Sequence, residues 1–164
     1  MTESTTPLPA EDGDDDHWLA SYSVHCHKCQ ATLLMLEHSP FENGYYLYCD
    51  TCPRRVDVSV YDSVFQEIEK QVSDTHTAQE MDSNYLGLVM PAVEARLRPC
   101  ACTGHFKFGI TPRCLYCATP VANAREGFNV WPADHDDADT EQTQRDEALL
   151  QQLILNEDLW QEKP

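Results

Sequence analysis

Eight cysteines stand in four closely spaced pairs along this chain of 164 residues, and these pairs constrain its fold more than any other feature. The pairs are Cys26 with Cys29, Cys49 with Cys52, Cys100 with Cys102, and Cys114 with Cys117. Two thiolates separated by two residues can converge on one side of a metal ion, and two such turns complete a tetrahedron of sulfur ligands about 2.3 Å from zinc. The sequence therefore predicts structural zinc sites.

Separation along the chain suggests which pairs share an ion. Nineteen residues lie between the first and second pairs and eleven between the third and fourth, and both separations are typical of one site. We therefore predict two zinc ions, one bound by Cys26, Cys29, Cys49 and Cys52, and one bound by Cys100, Cys102, Cys114 and Cys117. The 47 residues between the second and third pairs argue against the interleaved cross-brace of a RING domain, in which these pairs are almost adjacent.

For the second predicted site, the sequence does not decide the identity of the fourth ligand or of the metal. A single residue between Cys100 and Cys102 is less usual than two, and the spacing Cys102-Thr-Gly-His105 lets His105 replace Cys100 as the fourth ligand. Four cysteines remain the first choice. Iron in a rubredoxin-like site would use the same thiolates. A site closed by four thiolates has no position for a reactive water, so we expect no catalytic zinc and no enzyme.

Both cysteine segments resemble zinc ribbons, the two-knuckle modules of transcription factors, ribosomal proteins and many small bacterial proteins. The resemblance covers Val24–Val60 and Leu97–Val121. It implies a β fold and a metal, but no activity, because ribbons serve as nucleic-acid readers, docking surfaces and plain staples. A glycine commonly follows each knuckle in that family, whereas Gln30, Pro53 and Ala118 stand there in this chain.

The residues between and after the cysteines predict an α+β fold. Alternating and β-branched residues predict strands over 31–36, 45–48, 56–61 and 104–108. Apolar residues at helical spacing, Val64, Phe65, Ile68 and Val72, predict a helix over 62–72, and a second apolar element over 83–90 ends near Pro91. The predicted architecture is two small zinc-ribbon β modules with packing helices and a C-terminal amphipathic helix.

The chain divides into six predicted segments. They are an acidic, disordered N-terminal tail (1–22), a first zinc ribbon (23–61), a helical connector (62–97), a second zinc ribbon (98–130), an acidic linker (131–140) and an amphipathic helix (141–160). The apolar stripe of that last helix consists of Leu149, Leu150, Leu153, Ile154 and Trp160. These are the candidate partner-binding residues, and the stripe either packs on its own chain or docks on another protein or a second copy.

Charge narrows the class of partner. The chain has 28 acidic against 11 basic residues, a net charge of −17, with six acids and no bases in residues 1–22 and ten acids against two bases in 131–164. Such a chain repels phosphates and attracts basic surfaces. No apolar stretch reaches the length of a membrane span and the N-terminus lacks an export pattern, so we expect a cytoplasmic protein without membrane contact.

Two hypotheses for function follow. The first is a non-enzymatic, zinc-stapled protein that docks on a basic protein and inhibits it, a profile similar to that of small acidic bacterial immunity proteins against nuclease toxins. The alternative is a nucleic-acid-binding or transcription-associated ribbon. Its candidate contacts are basic residues near the cysteines, Arg54, Arg55, Arg96, Arg98, Lys107 and Arg113, with tyrosines and phenylalanines that can stack on bases.

Overall fold

A computed structural model describes residues 24–33, 36–37, 43–121, 129–130 and 140–163 of the chain. The predicted N-terminal tail (1–22) and residues 131–139 of the predicted linker lie outside these described residues. The described residues contain a four-stranded sheet with parallel and antiparallel pairs together with three helices, so the predicted α+β class is confirmed.

A four-stranded sheet forms the centre of the molecule. The strands of the described residues are β1 (Val24–His25), β2 (Thr32–Leu33), β3 (Leu36–Glu37), β4 (Gly44–Cys49), β5 (Arg55–Ser59), β6 (Phe106–Phe108), β7 (Asn129–Val130) and β8 (Ile154–Leu155). The sheet has the order β6-β4-β5-β8, in which β4 runs antiparallel to both β5 and β6, and β8 runs parallel to β5. The pairs β1–β2 and β3–β7 form two further antiparallel ladders.

Two helices fill the interval between the second and third cysteine pairs. These are α1 (Ser63–Thr75) and α2 (Ala78–Arg96), and together we call residues 62–97 the helical hairpin. The Asp62 carboxylate caps α1 by accepting from the amide of Val64 at 2.8 Å, and Thr77 with Glu80 forms a capping box at the start of α2. The sequence predicts a helical connector over 62–97 and a helix over 62–72, and the structure has α1 and α2 in this interval.

The second helix is longer than the sequence predicts. It continues through Pro91 to Arg96, and its irregular point is Asn84, whose φ of −147° and ψ of 40° are not helical. A proline inside a helix costs about 3 kcal/mol. Val89, Met90 and Val93 flank Pro91 and are all buried, and at about 2 kcal/mol for each side chain their burial outweighs that cost.

Most of the core lies between the sheet and the helical hairpin. Phe65, Ile68 and Val72 of α1 pack with Val56 and Val58 of the sheet. A second, smaller cluster consists of Cys26, Cys114, Leu115 and Val121.

The C-terminal helix is shorter than predicted. It spans Thr140–Leu153 (α3) rather than 141–160, because Ile154 and Leu155 leave the helix to form β8 against the open edge of β5. Pairing of this kind satisfies backbone groups that an edge strand would otherwise expose. Trp160 then pairs with Leu97 through an isolated bridge.

The apolar stripe packs on its own chain, which is one of the two alternatives that the sequence leaves open for it. Leu149, Leu150 and Leu153 lie against the smaller cluster, and Trp160 lies against the main core. Ile154 is half-buried within β8. None of the described helices combines the length and the apolar content needed to cross a bilayer.

Candidate metal centres

The eight cysteines come together in two groups of four, but not in the predicted combination. The first pair meets the fourth, so Cys26, Cys29, Cys114 and Cys117 form one group, which we call the outer site. The second pair meets the third, so Cys49, Cys52, Cys100 and Cys102 form the other, which we call the inner site. The predicted combination of neighbouring pairs is therefore wrong, and the two sites are nested along the chain.

Strand pairing explains the nested arrangement. The turn that carries Cys49 and Cys52 connects β4 to β5, and β4 also pairs with β6, with Cys49 opposite Phe106. Because Cys100 and Cys102 immediately precede β6, the sheet itself brings the second and third pairs to one end. The first and fourth pairs are left to meet each other.

The sulfur positions fit a tetrahedral ion. In the outer site, Cys26 Sγ lies 3.5 Å from Cys117 Sγ, and Cys29 Sγ lies 3.7 Å from Cys114 Sγ. A tetrahedron with Zn–S bonds of 2.3 Å has sulfurs about 3.8 Å apart.

The inner site has the same dimensions. Cys49 Sγ lies 3.4 Å from Cys102 Sγ, and Cys52 Sγ lies 3.6 Å from Cys100 Sγ. In both sites the four sulfur atoms all lie within 4.8 Å of one another, and all eight cysteines are free. Four thiolates in this arrangement are typical of zinc, and two such groups indicate a zinc-binding protein with places for two ions. A zinc ion bound there would supply a rigid cross-link and no reactive position.

Cys100, not His105, completes the inner site. The imidazole of His105 is largely exposed, and its Nδ1 lies 4.0 Å from Asp50 Oδ2. The amide of His105 donates to Asp50 Oδ1 at 2.9 Å. This hydrogen bond connects the turn that carries Cys49 and Cys52 to the segment that follows Cys102. This hydrogen bond also lowers the pKa of the Asp50 carboxyl.

All four cysteine turns share one backbone pattern. In each Cys-x-x-Cys turn, the amide of the first cysteine donates to the carbonyl five residues later, as from Cys26 to Ala31 at 2.9 Å and from Cys114 to Thr119 at 2.8 Å. In the Cys-x-Cys turn the acceptor is four residues later, with Cys100 donating to Gly104 at 2.8 Å. The unusual spacing of the third pair is therefore the same turn with one residue fewer.

Positive φ angles explain why a glycine suits the position after a knuckle. Gln30, Thr103 and Ala118 each follow the second cysteine of their turn, and their φ angles are 62°, 74° and 62°. This left-handed conformation costs a residue with a Cβ about 1–2 kcal/mol. The chain thus adopts the usual knuckle geometry without the usual glycine at these positions.

Replacing Ala118 with glycine should raise the free energy of unfolding by about 0.5–1 kcal/mol, because glycine adopts this conformation without steric cost. The measurement is urea denaturation at a fixed free zinc concentration. Ala95→Gly, at an exposed position of α2, is the matched control and should lower the same quantity by about 1 kcal/mol. A loss of stability in Ala118→Gly would contradict the argument.

The inner site is part of the main core, and its thiols have unequal environments. Desolvation raises the pKa of Cys49 to about 12. Desolvation also acts to raise the pKa of Cys102. Hydrogen bonds from the amide of Gly104 and from the neighbouring thiols outweigh this effect and lower the pKa of Cys102 to about 7. The amides of Thr51 and Gly104 donate to Cys49 Sγ and Cys102 Sγ, both at 3.4 Å, as donors to a metal-bound thiolate would.

The outer site is more open. Cys26 and Cys114 are buried, whereas Cys29 is exposed. The side chain and backbone of Thr119 lower the pKa of Cys117 to about 6, and desolvation raises the pKa of Cys114. The turns of this site are supported by two-residue strands, by the bridge between Arg113 and Pro120, and by the leucines of α3.

Two arginines next to the cysteines have structural partners that sequence reasoning did not assign to them. Arg54 hydrogen-bonds Cys100, which raises the pKa of its guanidinium and places a positive charge beside the inner thiolates. Arg113 donates from Nη1 to the carbonyl of Ala118 at 2.9 Å and from Nη2 to the carbonyl of Asp50 at 2.5 Å. No sequence pattern points to the second acceptor, since the two residues are 63 positions apart.

A comparison with protein-family models finds one match. The model of a domain of unknown function, DUF8255, matches residues 22–123, a range that contains all eight cysteines and both helices of the hairpin. Neither the curated proteins nor the solved structures yield a significant match to the chain. With its nested cysteine sites and the intervening helical hairpin inside the matched range, the chain belongs to the DUF8255 family.

Proposed function

We propose that this protein is a non-enzymatic, zinc-stapled interaction protein that docks on a basic protein and inhibits it, as an immunity protein inhibits a nuclease toxin. The proposal depends on the distribution of charge over the fold. Both sites are closed sets of four thiolates, so the metal serves to hold a surface in shape.

The helical hairpin carries the observation that supports this proposal best. Residues 62–97 contain seven acidic and two basic side chains, a net charge of −5. All other described residues together contain nine acidic and eight basic side chains, a net charge of −1. The negative charge of the described body is therefore concentrated on one element, where it can steer a basic partner.

An exposed apolar side chain lies within the same element. Leu86 of α2 is 41% exposed, and Asp82, one helical turn before it, is exposed as well. A short-range apolar contact next to long-range charge suits a protein partner, because charge speeds encounter while apolar burial slows dissociation.

Five of the six basic residues of the nucleic-acid hypothesis are bound within the chain. Arg55 donates to Asp57 and stacks on Tyr46, and Lys107 donates to Glu94. Arg98 donates to the carbonyl of Trp160, and Arg54 and Arg113 have the partners described above. Side chains used in this way are poorly placed to neutralise phosphates, which favours a protein partner over DNA or RNA.

The proposal is tested by binding to a panel of small basic nucleases, with their cleavage of a fluorescent RNA or DNA substrate as the inhibition assay. We expect one or more nucleases to be bound and inhibited, with an association rate that falls as salt rises. The double variant Asp74→Asn with Asp82→Asn should lower that association rate several-fold, because it removes two negative charges that steer a basic partner. Glu157→Gln with Asp158→Asn removes two exposed charges elsewhere and is the matched control.

Two outcomes would contradict the proposal. One is the absence of binding and inhibition across the panel. The other is salt-sensitive retention on DNA or RNA that Arg54→Ala or Lys107→Ala abolishes, which would support the nucleic-acid alternative.

A further inference from the structure

Arg113 contacts both metal sites at once. It immediately precedes Cys114 of the outer site, and one arm of its guanidinium donates to the carbonyl of Ala118, which closes the outer turn. The other arm donates to the carbonyl of Asp50, inside the turn that carries Cys49 and Cys52. The formed inner turn orients that carbonyl, because the amide of Thr51 donates to Cys49 Sγ within the turn and the amide of Asp50 donates to the carbonyl of His105, which follows the third cysteine pair.

The two sites also differ in how many contacts other than the metal support their ligands. The inner cysteines Cys49 and Cys100 belong to the main core, and the pairing of β4 with β6 holds their turns together. The outer cysteines Cys26 and Cys114 belong to a cluster of four buried residues, and Cys29 is exposed. A site whose ligands are held by other contacts loses less conformational entropy when it binds.

We infer that zinc occupies the inner site before the outer site, and that Arg113 is the positioning residue through which an occupied inner site strengthens binding at the outer one. Linkage makes this coupling reciprocal, so an occupied outer site raises the affinity of the inner site for zinc by the same factor. The order arises because the inner site has the higher affinity when both are empty. The inference concerns the metal sites alone and is independent of the proposed partner.

The loading order is tested on the full chain, freed of metal under reducing conditions and given one equivalent of Zn²⁺. Thiols that remain reactive are alkylated with N-ethylmaleimide and mapped by mass spectrometry. We expect Cys49, Cys52, Cys100 and Cys102 to be protected and Cys26, Cys29, Cys114 and Cys117 to be modified. Equal protection of all eight cysteines, or protection of the outer four first, would overturn the order.

The role of Arg113 is tested by zinc titration followed by native mass spectrometry. Arg113→Ala should weaken the second zinc about tenfold, the loss expected for the one charge-assisted hydrogen bond that reaches the inner turn, and leave the first within about twofold. The species with one zinc should then accumulate. Arg113→Lys keeps the charge and should weaken the second zinc about threefold. Arg98→Ala, whose side chain holds the C-terminal segment, should leave both steps unchanged. Equal weakening of both zincs by Arg113→Ala, or of neither, would overturn the role.

Discussion

Replacing Cys49 with serine is expected to unfold the protein, whereas replacing Cys29 with serine should leave the main core folded with one zinc bound. Cys49 is fully buried, belongs to the main core and is the last residue of β4, which pairs with two other strands. A structural zinc site contributes on the order of 10 kcal/mol to folding, which is comparable to the whole net stability of a small domain. Losing one inner ligand therefore removes the sheet as well as the ion.

Cys29 is the matched control because it is a ligand of the same chemical type in the exposed outer site. Far-ultraviolet circular dichroism, amide NMR dispersion and zinc content per chain, all measured under reducing conditions, separate the two variants. Cys49→Ser should show little dispersion and less than one zinc, and Cys29→Ser should keep most dispersed amides and one zinc. A Cys49→Ser variant that loses inner zinc but keeps native dispersion would show that the core alone decides folding.

The ligands and most secondary structure could be predicted from the sequence because the signals are local. A Cys-x-x-Cys turn needs only its own residues, and the buried face of α1 follows from the spacing of Phe65, Ile68 and Val72. The strand predicted over 45–48 is β4, and the strand predicted over 56–61 corresponds to β5.

The pairing of the turns could not be predicted, because chain separation discriminates weakly between the alternatives. Closing the 47-residue interval of the inner site instead of a 19-residue one costs only about 0.8 kcal/mol, since loop entropy grows with the logarithm of length. Closing the 84 residues between Cys29 and Cys114 instead of 11 costs about 1.8 kcal/mol. The pairing of β4 with β6 and the burial of two helices easily exceed these amounts, and neither can be deduced from cysteine spacing.

The end of α3 could not be predicted either, because it depends on strand pairing between distant residues. Helical periodicity continues through Ile154, but Ile154 and Leu155 pair with the open edge of β5, where Leu155 also packs against the main core. Residues 154–160 therefore follow the sheet and the end of α2, and the sequence alone does not reveal that edge.

The contact between the helical hairpin and the sheet includes Phe65. Its side chain is 1% exposed and stacks on Tyr45 of β4 with ring centroids 5.9 Å apart. Tyr45 in turn meets Phe108 of β6 edge-to-face at 5.8 Å. The three rings connect α1 to both strands that lead to the inner cysteines, so this packing supports the site as well as the core.

Phe65→Ala should lower the free energy of unfolding by about 3–5 kcal/mol, the usual cost of emptying an aromatic position in a packed core. Urea denaturation at a fixed free zinc concentration measures this loss, and faster transfer of zinc to a chelator should accompany it because unfolding and inner-site release are linked. Leu86→Ala is the matched control, since the 41% exposed side chain on the same hairpin should cost about 0.5 kcal/mol. If Phe65→Ala cost no more than Leu86→Ala, zinc alone, without the packing of α1 on β4, would hold the sheet together.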